Sequence, residues 1–254
     1  MAATAKSKPE RPDFSLEQAL LDGLDGDLLK PAAQLVIGLD EAGRGPWAGP
    51  VVAAACWLDP LRTEALPSLL NDSKKLSSKQ REQVYQDLQQ GIREGMVILE
   101  TAAVDVAVID SIGILPASFL AMQHALDAVL PQFASRLAGG VTGQQPAQGP
   151  SEEAAAAIRL LVDGNQPAPL TLDGMRLDCQ PVIGGDGRSL SIAAASIAAK
   201  QTRDAIMLRL DDACPGYGFA AHKGYGTAEH RRALAELGPS PYHRMSFRPL
   251  RQPD

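Results

Sequence analysis

Two adjacent carboxylates, Asp40 and Glu41, follow directly on the apolar run Leu-Val-Ile-Gly-Leu at 35–39 and lead into a glycine-broken loop with one arginine, Arg44. The same order recurs later: residues 158–162 are mostly apolar, Asp163 ends the run, and Gly164 and Asn165 follow. Acids at the end of a buried strand commonly do no more than face water. Repetition of apolar run, acid and glycine points further, because hard oxygen ligands of this kind hold Mg²⁺ together with substrate phosphates. Asp40 and Glu41 constrain such a site. Neighbouring strand side chains leave on opposite faces, so both reach one ion only if the chain departs from ideal strand geometry near Glu41. Gly43 and Gly45 allow that departure at little cost.

A different motif overlaps the first acids. Gly43-Arg-Gly45-Pro-Trp-Ala48 also fits the dinucleotide fingerprint G-x-G-x-x-A, with Glu64 near the place of a ribose-binding acid. That fingerprint must open a helix. The residues at 50–57, Pro-Val-Val-Ala-Ala-Ala-Cys-Trp, begin with proline and end in β-favouring types, which predicts a second strand instead.

The remaining elements follow from periodicity and caps. A helix is expected over 79–90 with Ser77 or Ser78 as its cap, then a third strand over 96–104. Leu115, Phe119, Met122, Leu126 and Val129 recur at helical spacing within 111–137, and Pro116 fits a first turn. Strands at 158–162 and 179–183 precede a long helix of small residues over 189–210, whose alanine face should pack closely on the sheet. A last helix is expected over 228–237. Five strands, the first three consecutive and the later ones interleaved with helices, predict an α/β layered domain.

The blocks that carry these acids resemble a known family. Gly-Leu-Asp-Glu-Ala-Gly-Arg-Gly-Pro-Trp-Ala-Gly-Pro-Val-Val at 38–52 is similar to the signature of the type 2 ribonucleases H, the family of bacterial ribonuclease HII. The likeness continues through Asn-Asp-Ser-Lys-Lys-Leu-Ser at 71–77, Leu-Val-Asp-Gly-Asn at 161–165, Gly185-Asp186, the Ser-Ile-Ala block at 191–200 and Ala-His-Lys-Gly-Tyr at 221–225, in family order over 36–249. The resemblance implies a ribonuclease H-like mixed five-stranded sheet flanked by helices, with a C-terminal helical extension completing the substrate groove. It implies an endoribonuclease that hydrolyses the RNA strand of RNA–DNA hybrids and cuts 5′ of single ribonucleotides embedded in duplex DNA, leaving 5′-phosphate and 3′-hydroxyl. Asp40, Glu41, Asp163 and Asp186 would then be both catalytic and metal-binding, with Mg²⁺ or Mn²⁺ as cofactor and two ions during catalysis. Four carboxylates at one site repel one another, so at least one should have a raised pKa and metal should compete with protons.

The same resemblance assigns substrate contacts. The loop Gly43-Arg44-Gly45 would read the 2′-hydroxyl largely with backbone groups, and Tyr225 would pack near the sugar that follows. Lys74, Lys75, Arg188, Lys200 and Lys223 are candidate phosphate contacts. His222, His230 and His243 are better suited to packing or phosphate roles than to metal ligation. The family usually carries asparagine where this chain has Gly113, so any contact of that side chain is missing or replaced. A hybrid-binding protein without turnover would share the basic residues, and the complete acid set argues against it.

Composition fits this reading. With 254 residues, 45% hydrophobic and 21% charged, the chain can bury a sizeable core. No apolar run approaching a membrane span and no secretion signal are read at the sequence level, and the three cysteines show no metal spacing. A cytoplasmic location and a monomer are therefore expected, with replication or repair proteins as further candidate partners. The net charge of −6 speaks against a nucleic-acid partner until its distribution is considered, since residues 188–251 hold ten Lys or Arg against five acids. Residues 1–34 form an N-terminal extension, expected to be flexible, with an apolar patch at Leu16, Ala19, Leu20, Leu21 and Leu24 that could form a short amphipathic helix. The catalytic domain spans 35–210 with a flexible, turn-rich insertion at 138–151, and 211–254 form the C-terminal extension and tail.

Overall fold

A computed structural model describes residues 11–22, 35–138 and 158–250. The expected insertion at 138–151 lies, apart from its first residue, outside the described residues. Five strands form one mixed sheet: β1 (Leu35–Ala42), β2 (Val51–Leu58), β3 (Val97–Val104), β4 (Ile158–Asp163) and, after two short strands, β7 (Asp178–Val182), in the order β3-β2-β1-β4-β7. β1 pairs antiparallel with β2 and parallel with β4, β2 pairs antiparallel with β3, and β4 pairs parallel with β7. β2 is a strand where the dinucleotide fingerprint needs a helix, which removes that alternative.

The two-residue strands β5 (Thr171–Leu172) and β6 (Met175–Arg176) form a hairpin that sequence reading missed. Its signal was present: Asp173 and Gly174 both have positive φ, the conformation that an Asp-Gly pair favours in a two-residue turn. β7 begins one residue earlier than expected and carries Pro181. It lies at the sheet edge, where a missing N–H is tolerated.

Both faces of the sheet are covered. The helical pattern at 111–137 resolves into α3 (Val106–Ile112) and α4 (Ile114–Ala138), separated at Gly113, whose φ of 85° suits glycine and ends α3. Ile114–Phe133 is long and apolar enough to cross a membrane by length and composition. Here its Ala117, Ala121, Met122, Ala125, Leu126 and Val129 are buried with Ile37, Leu39, Ala53 and Leu160 on one face of the sheet. α2 (Ser78–Arg93) starts in a capping box, with the Ser77 side chain accepting from the Gln80 N–H and the Gln80 side chain accepting in return. Such a cap contributes about 1 kcal/mol. The helix packs on the opposite sheet face beside α5 (Leu190–Ala213), whose Ala193, Ala194, Ala195, Ala198 and Ala199 are fully buried. A Cβ at Gly38 would strike the backbone of Ser191 and Ile192, so glycine on β1 is what lets the start of α5 come this close.

Residues 11–22 depart from the expected flexibility. In α1 (Ser15–Asp22), Leu16, Leu20 and Leu21 pack against Val36, Leu161, Val182 and Ile192. Glu17 is fully buried and its Oε1 accepts from Ser189 Oγ (2.6 Å), Ser191 Oγ (2.7 Å) and the Ser191 N–H (2.9 Å). A carboxylate from the N-terminal segment thus satisfies donors at the N-terminus of α5, where the helix dipole favours negative charge. Beyond α5, the C-terminal part adds α6 (Phe219–His222) and α7 (Ala228–Leu237). These pack around Tyr217, Phe219 and Ala233.

Candidate active site

β1 does not end before its acids. It runs through Asp40 and Glu41, which face Ala54 and Ala53 in the ladder with β2, so the expected departure from strand geometry is absent. The two side chains therefore leave on opposite faces. Asp40, 5% exposed, shares its side with Asp163 at the end of β4 and with Asp186 in the short 3₁₀ turn before α5, and carboxylate oxygens of these three lie within 4.8 Å of one another. Glu41 is not in that group. It pairs with Arg44 at 3.3 Å and lines, with Asp163, a second hollow bounded by Ser118, Phe119 and Met122 of α4.

The local fold holds each acid by its neighbours. The Gly185 N–H donates to Asp163 Oδ1 at 2.7 Å, tying the end of β4 to the turn that carries Asp186. Asp40 accepts from Ser196 of α5, and Ser196 Oγ lies 2.9 Å from Ser73 Oγ in a buried pair. Neither serine stood out in the sequence, although both lie in blocks that resembled the family. Lys74 reaches Asp186 at 2.8 Å while the rest of its side chain stays exposed.

Electrostatically the acids crowd one another, with Lys74 paired to Asp186 and Arg44 to Glu41. Burial, then the charges of Glu41 and Asp163, raise the pKa of Asp40 well above its ordinary value. Burial also raises Glu41 and Asp163, against the opposing Arg44 guanidinium and Gly185 N–H respectively. At Lys74 burial works against the charge, but the hydrogen bond and charge of Asp186 outweigh it and the pKa rises. The three converging acids are hard oxygen donors of the kind that Mg²⁺ or Mn²⁺ takes, and a divalent cation would relieve their repulsion. They fit such an ion on that ground.

One cleft gathers much of the rest. Asp40, Glu41, Gly43, Arg44, Gly45, Lys74, Asp163, Lys200 and Tyr225 line it together. Lys200 is 2.6 Å from Asp204, and Tyr225 is half-exposed, with its ring 3.7 Å from where a Gly45 Cβ would lie. Lys75, Arg188 and Lys223 do not line the cleft: Lys75 points to solvent, Arg188 caps the turn beyond Asp186, and Lys223 turns its ammonium to the Ala220 carbonyl.

Two arginines counted with the basic C-terminal part are buried instead. Arg203 of α5 donates to the carbonyls of Pro50 (3.0 Å), Ala48 (3.1 Å) and Lys223 (3.0 Å), and Arg244 donates to carbonyls of the 43–49 loop. Burial lowers the pKa of both, that of Arg244 to about 9, with Arg203 adding to the effect. Around them His222 and His230 stack with ring centroids 4.4 Å apart, and His230 Nε2 lies 2.9 Å from His243 Nε2. The histidines thus pack and hydrogen-bond within the extension, as expected.

A mixed sheet with carboxylates converging from the ends of β1 and β4 and the turn before α5, beside a glycine loop, defines a ribonuclease H-like, acid-site nuclease. The family described as Ribonuclease HII matches residues 37–136 and 151–249. Ribonuclease HII of Halorhodospira halophila is 44% identical over 217 residues, covering 85% of this chain and 93% of that protein, and ribonuclease HII of Chloroflexus aurantiacus is 43% identical, covering 94% of each. This chain belongs to the ribonuclease HII family and is an endoribonuclease. Among solved structures, ribonuclease HII in its complex with PCNA from Archaeoglobus fulgidus matches with a TM-score of 0.54 at 23% identity, covering 87% of this chain and 98% of that one. Bst-RNase HIII in complex with Mn²⁺ matches with a TM-score of 0.51 at 18% identity, covering 87% and 80%. At these identities the likeness concerns the fold.

Proposed function

We propose that the chain cuts on the 5′ side of single ribonucleotides embedded in duplex DNA, as well as within RNA–DNA hybrids, in a reaction that depends on Mg²⁺ or Mn²⁺. The convergence of Asp40 and Asp163 with Asp186, the first two lining one cleft with the Gly43-Arg44-Gly45 loop and Tyr225, carries this reading. Asp40, Asp163 and Asp186 would hold two divalent ions, and Glu41, which lines the same cleft, would join them only through a local departure from strand geometry. Bound ions of this kind activate water and neutralise charge on the phosphate and the departing oxygen. Cleavage would leave 5′-phosphate and 3′-hydroxyl.

The chain's own groups do the selecting. Lys74, Arg44 and Lys200 stand on the cleft wall as cations for phosphates. Lys74 neutralises Asp186 until metal takes over that task, and its long exposed stem lets it move to the substrate. Glycines in the 43–45 loop let backbone donors approach the 2′-hydroxyl, which distinguishes RNA from DNA. Tyr225 presents its ring to the sugar on the 3′ side. The protein would act in the cytoplasm as a monomer. The complex of the Archaeoglobus fulgidus relative with PCNA makes a replication protein a candidate partner here too.

A labelled duplex with one ribonucleotide, incubated with and without Mg²⁺ or Mn²⁺, tests the reading. A single cut 5′ of the ribonucleotide, only with the metal, is expected. Equal cleavage in chelator, or cuts spread over deoxy positions, would overturn it.

A further inference from the structure

Recognition of a 2′-hydroxyl by backbone groups requires that those groups be aimed. Arg244 is fully buried, and its guanidinium donates to four carbonyls of one loop: Gly43 (2.6 Å), Arg44 (3.0 Å), Pro46 (2.8 Å) and Gly49 (3.0 and 2.8 Å). A trans peptide group is planar, with its C=O and the following N–H antiparallel. Drawing the carbonyls of Gly43 and Arg44 toward Arg244 therefore turns the N–H groups of Arg44 and Gly45 the other way. Gly43, Arg44 and Gly45 line the cleft with Asp40 and Tyr225, and Arg244 does not. Pro46 shows the same relation: its carbonyl faces Arg244, while the next N–H, that of Trp47, donates to the Gly224 carbonyl at 2.8 Å. Among the described residues, the N–H groups of Arg44 and Gly45 have no such internal acceptor.

We infer that Arg244 is a positioning residue for ribonucleotide recognition: by gathering the carbonyls of residues 43–49 it presents the amides of Arg44 and Gly45 as a donor pair for the 2′-hydroxyl. The inference rests on the reading of this loop given under the proposed function. Arginine suits the task because its planar fork spreads five N–H donors over several acceptors, whereas an ammonium offers three from one point. Arg203 braces the far end of the same segment through Ala48 and Pro50, so the loop is held from both sides.

The test compares two duplexes that differ by one 2′-hydroxyl, their affinities measured in Ca²⁺ under conditions without cleavage. Wild type should prefer the ribonucleotide duplex. Arg244→Lys should keep a cooperative melt and its all-deoxy affinity within about twofold, while the preference falls by about tenfold, the scale of one or two misaimed hydrogen bonds. A folded Arg244→Lys with an undiminished preference, or with both affinities falling in parallel, overturns the inference. A wild type without preference instead sinks the reading of the loop, and the role of Arg244 with it. Should Arg244→Lys fail to fold, the wild type decides by NMR. The amide resonances of Arg44 and Gly45 should shift on adding the ribonucleotide duplex and not the all-deoxy one, and amides that respond equally to both overturn the proposal.

Discussion

The acid cluster and the arginine clamp both take charge out of water, and they manage it in opposite ways. Asp40, Asp163 and Asp186 face one another, and burial with neighbouring negative charge raises the pKa of Asp40 and Asp163, a repulsion that a cation would relieve. Arg203 and Arg244 meet no carboxylate among their hydrogen-bond partners, which are neutral carbonyls. Buried charge left uncompensated awaits a ligand, whereas buried charge satisfied by main chain fixes the main chain. A cleft needs both: one half that reacts to metal and substrate, and one that does not move when they arrive.

Breaking the reactive half should have the largest effect. Asp163→Asn removes charge with little change of shape, and cleavage should fall on the order of a thousandfold, comparable to losing a charge-stabilising group at a reacting centre. Thermal stability should hold or rise, because a repulsive neighbour of Asp40 is gone; near wild-type turnover in the folded variant would remove Asp163 from the metal set. Breaking the rigid half should show in stability first. Arg203→Met leaves the carbonyls of Pro50, Ala48 and Lys223 without their donor, at a cost of about 3 kcal/mol or more, read by urea unfolding. A variant as stable as wild type would mean that Arg203 is no brace.

Where the halves meet, Tyr225→Ala separates recognition from chemistry. A lost stacking contact is worth roughly 1–3 kcal/mol, so cleavage at a single embedded ribonucleotide should drop about tenfold to hundredfold. Cleavage within a long RNA–DNA hybrid, where many registers serve, should drop far less. Equal losses on both substrates, with a lower melting temperature, would make the tyrosine a packing residue.

The smallest effect expected is on pH dependence. Burial, with His230 adding, lowers the pKa of His243 from its ordinary 6.5 to about 4. The unfolded chain thus gains a proton below about pH 6.5 that the folded chain resists, so this group's contribution to stability is whole above pH 6.5 and lost as pH falls toward 4. At most about 3 kcal/mol is involved. The acid cluster has raised pKa values and shifts stability the other way, so a local probe is needed. Trp47, 5.6 Å from His230, provides one in a Trp57→Phe background. Trp47 fluorescence that ignores pH between 6.5 and 4 would count against the histidine stack as the acid-sensitive element.

Sequence reading reached the reactive half and not the rigid one, for a physical reason. A carboxylate after an apolar strand breaks the chain's own grammar, so Asp40 and Asp163 drew notice, whereas Asp186 entered through the family resemblance. Glu41 joined the set through the resemblance, and the departure from strand geometry on which its reach to the same ion depends is not found in β1. Arg203 and Arg244 entered the sequence reading only as part of the basic charge count over 188–251. Their partners are carbonyls, which every residue has and which leave no trace in residue type. Glu17 was hidden likewise: an acid on a short amphipathic helix reads as its solvated face until the serines at 189 and 191 are brought to it.

That last contact has a consequence in time. Glu17 and Ser191 are 174 residues apart, so during synthesis the first helix stays without its partner while most of the chain is made. At about 5–20 residues per second, the wait is roughly 10–35 s. Until Ser189 and Ser191 leave the ribosome, Glu17 remains without these partners and the start of α5 lacks its carboxylate. The nuclease centre is therefore among the last parts of the molecule to be completed, and a nascent chain stalled before residue 189 carries two of its acids, Asp40 and Asp163, without the third in place.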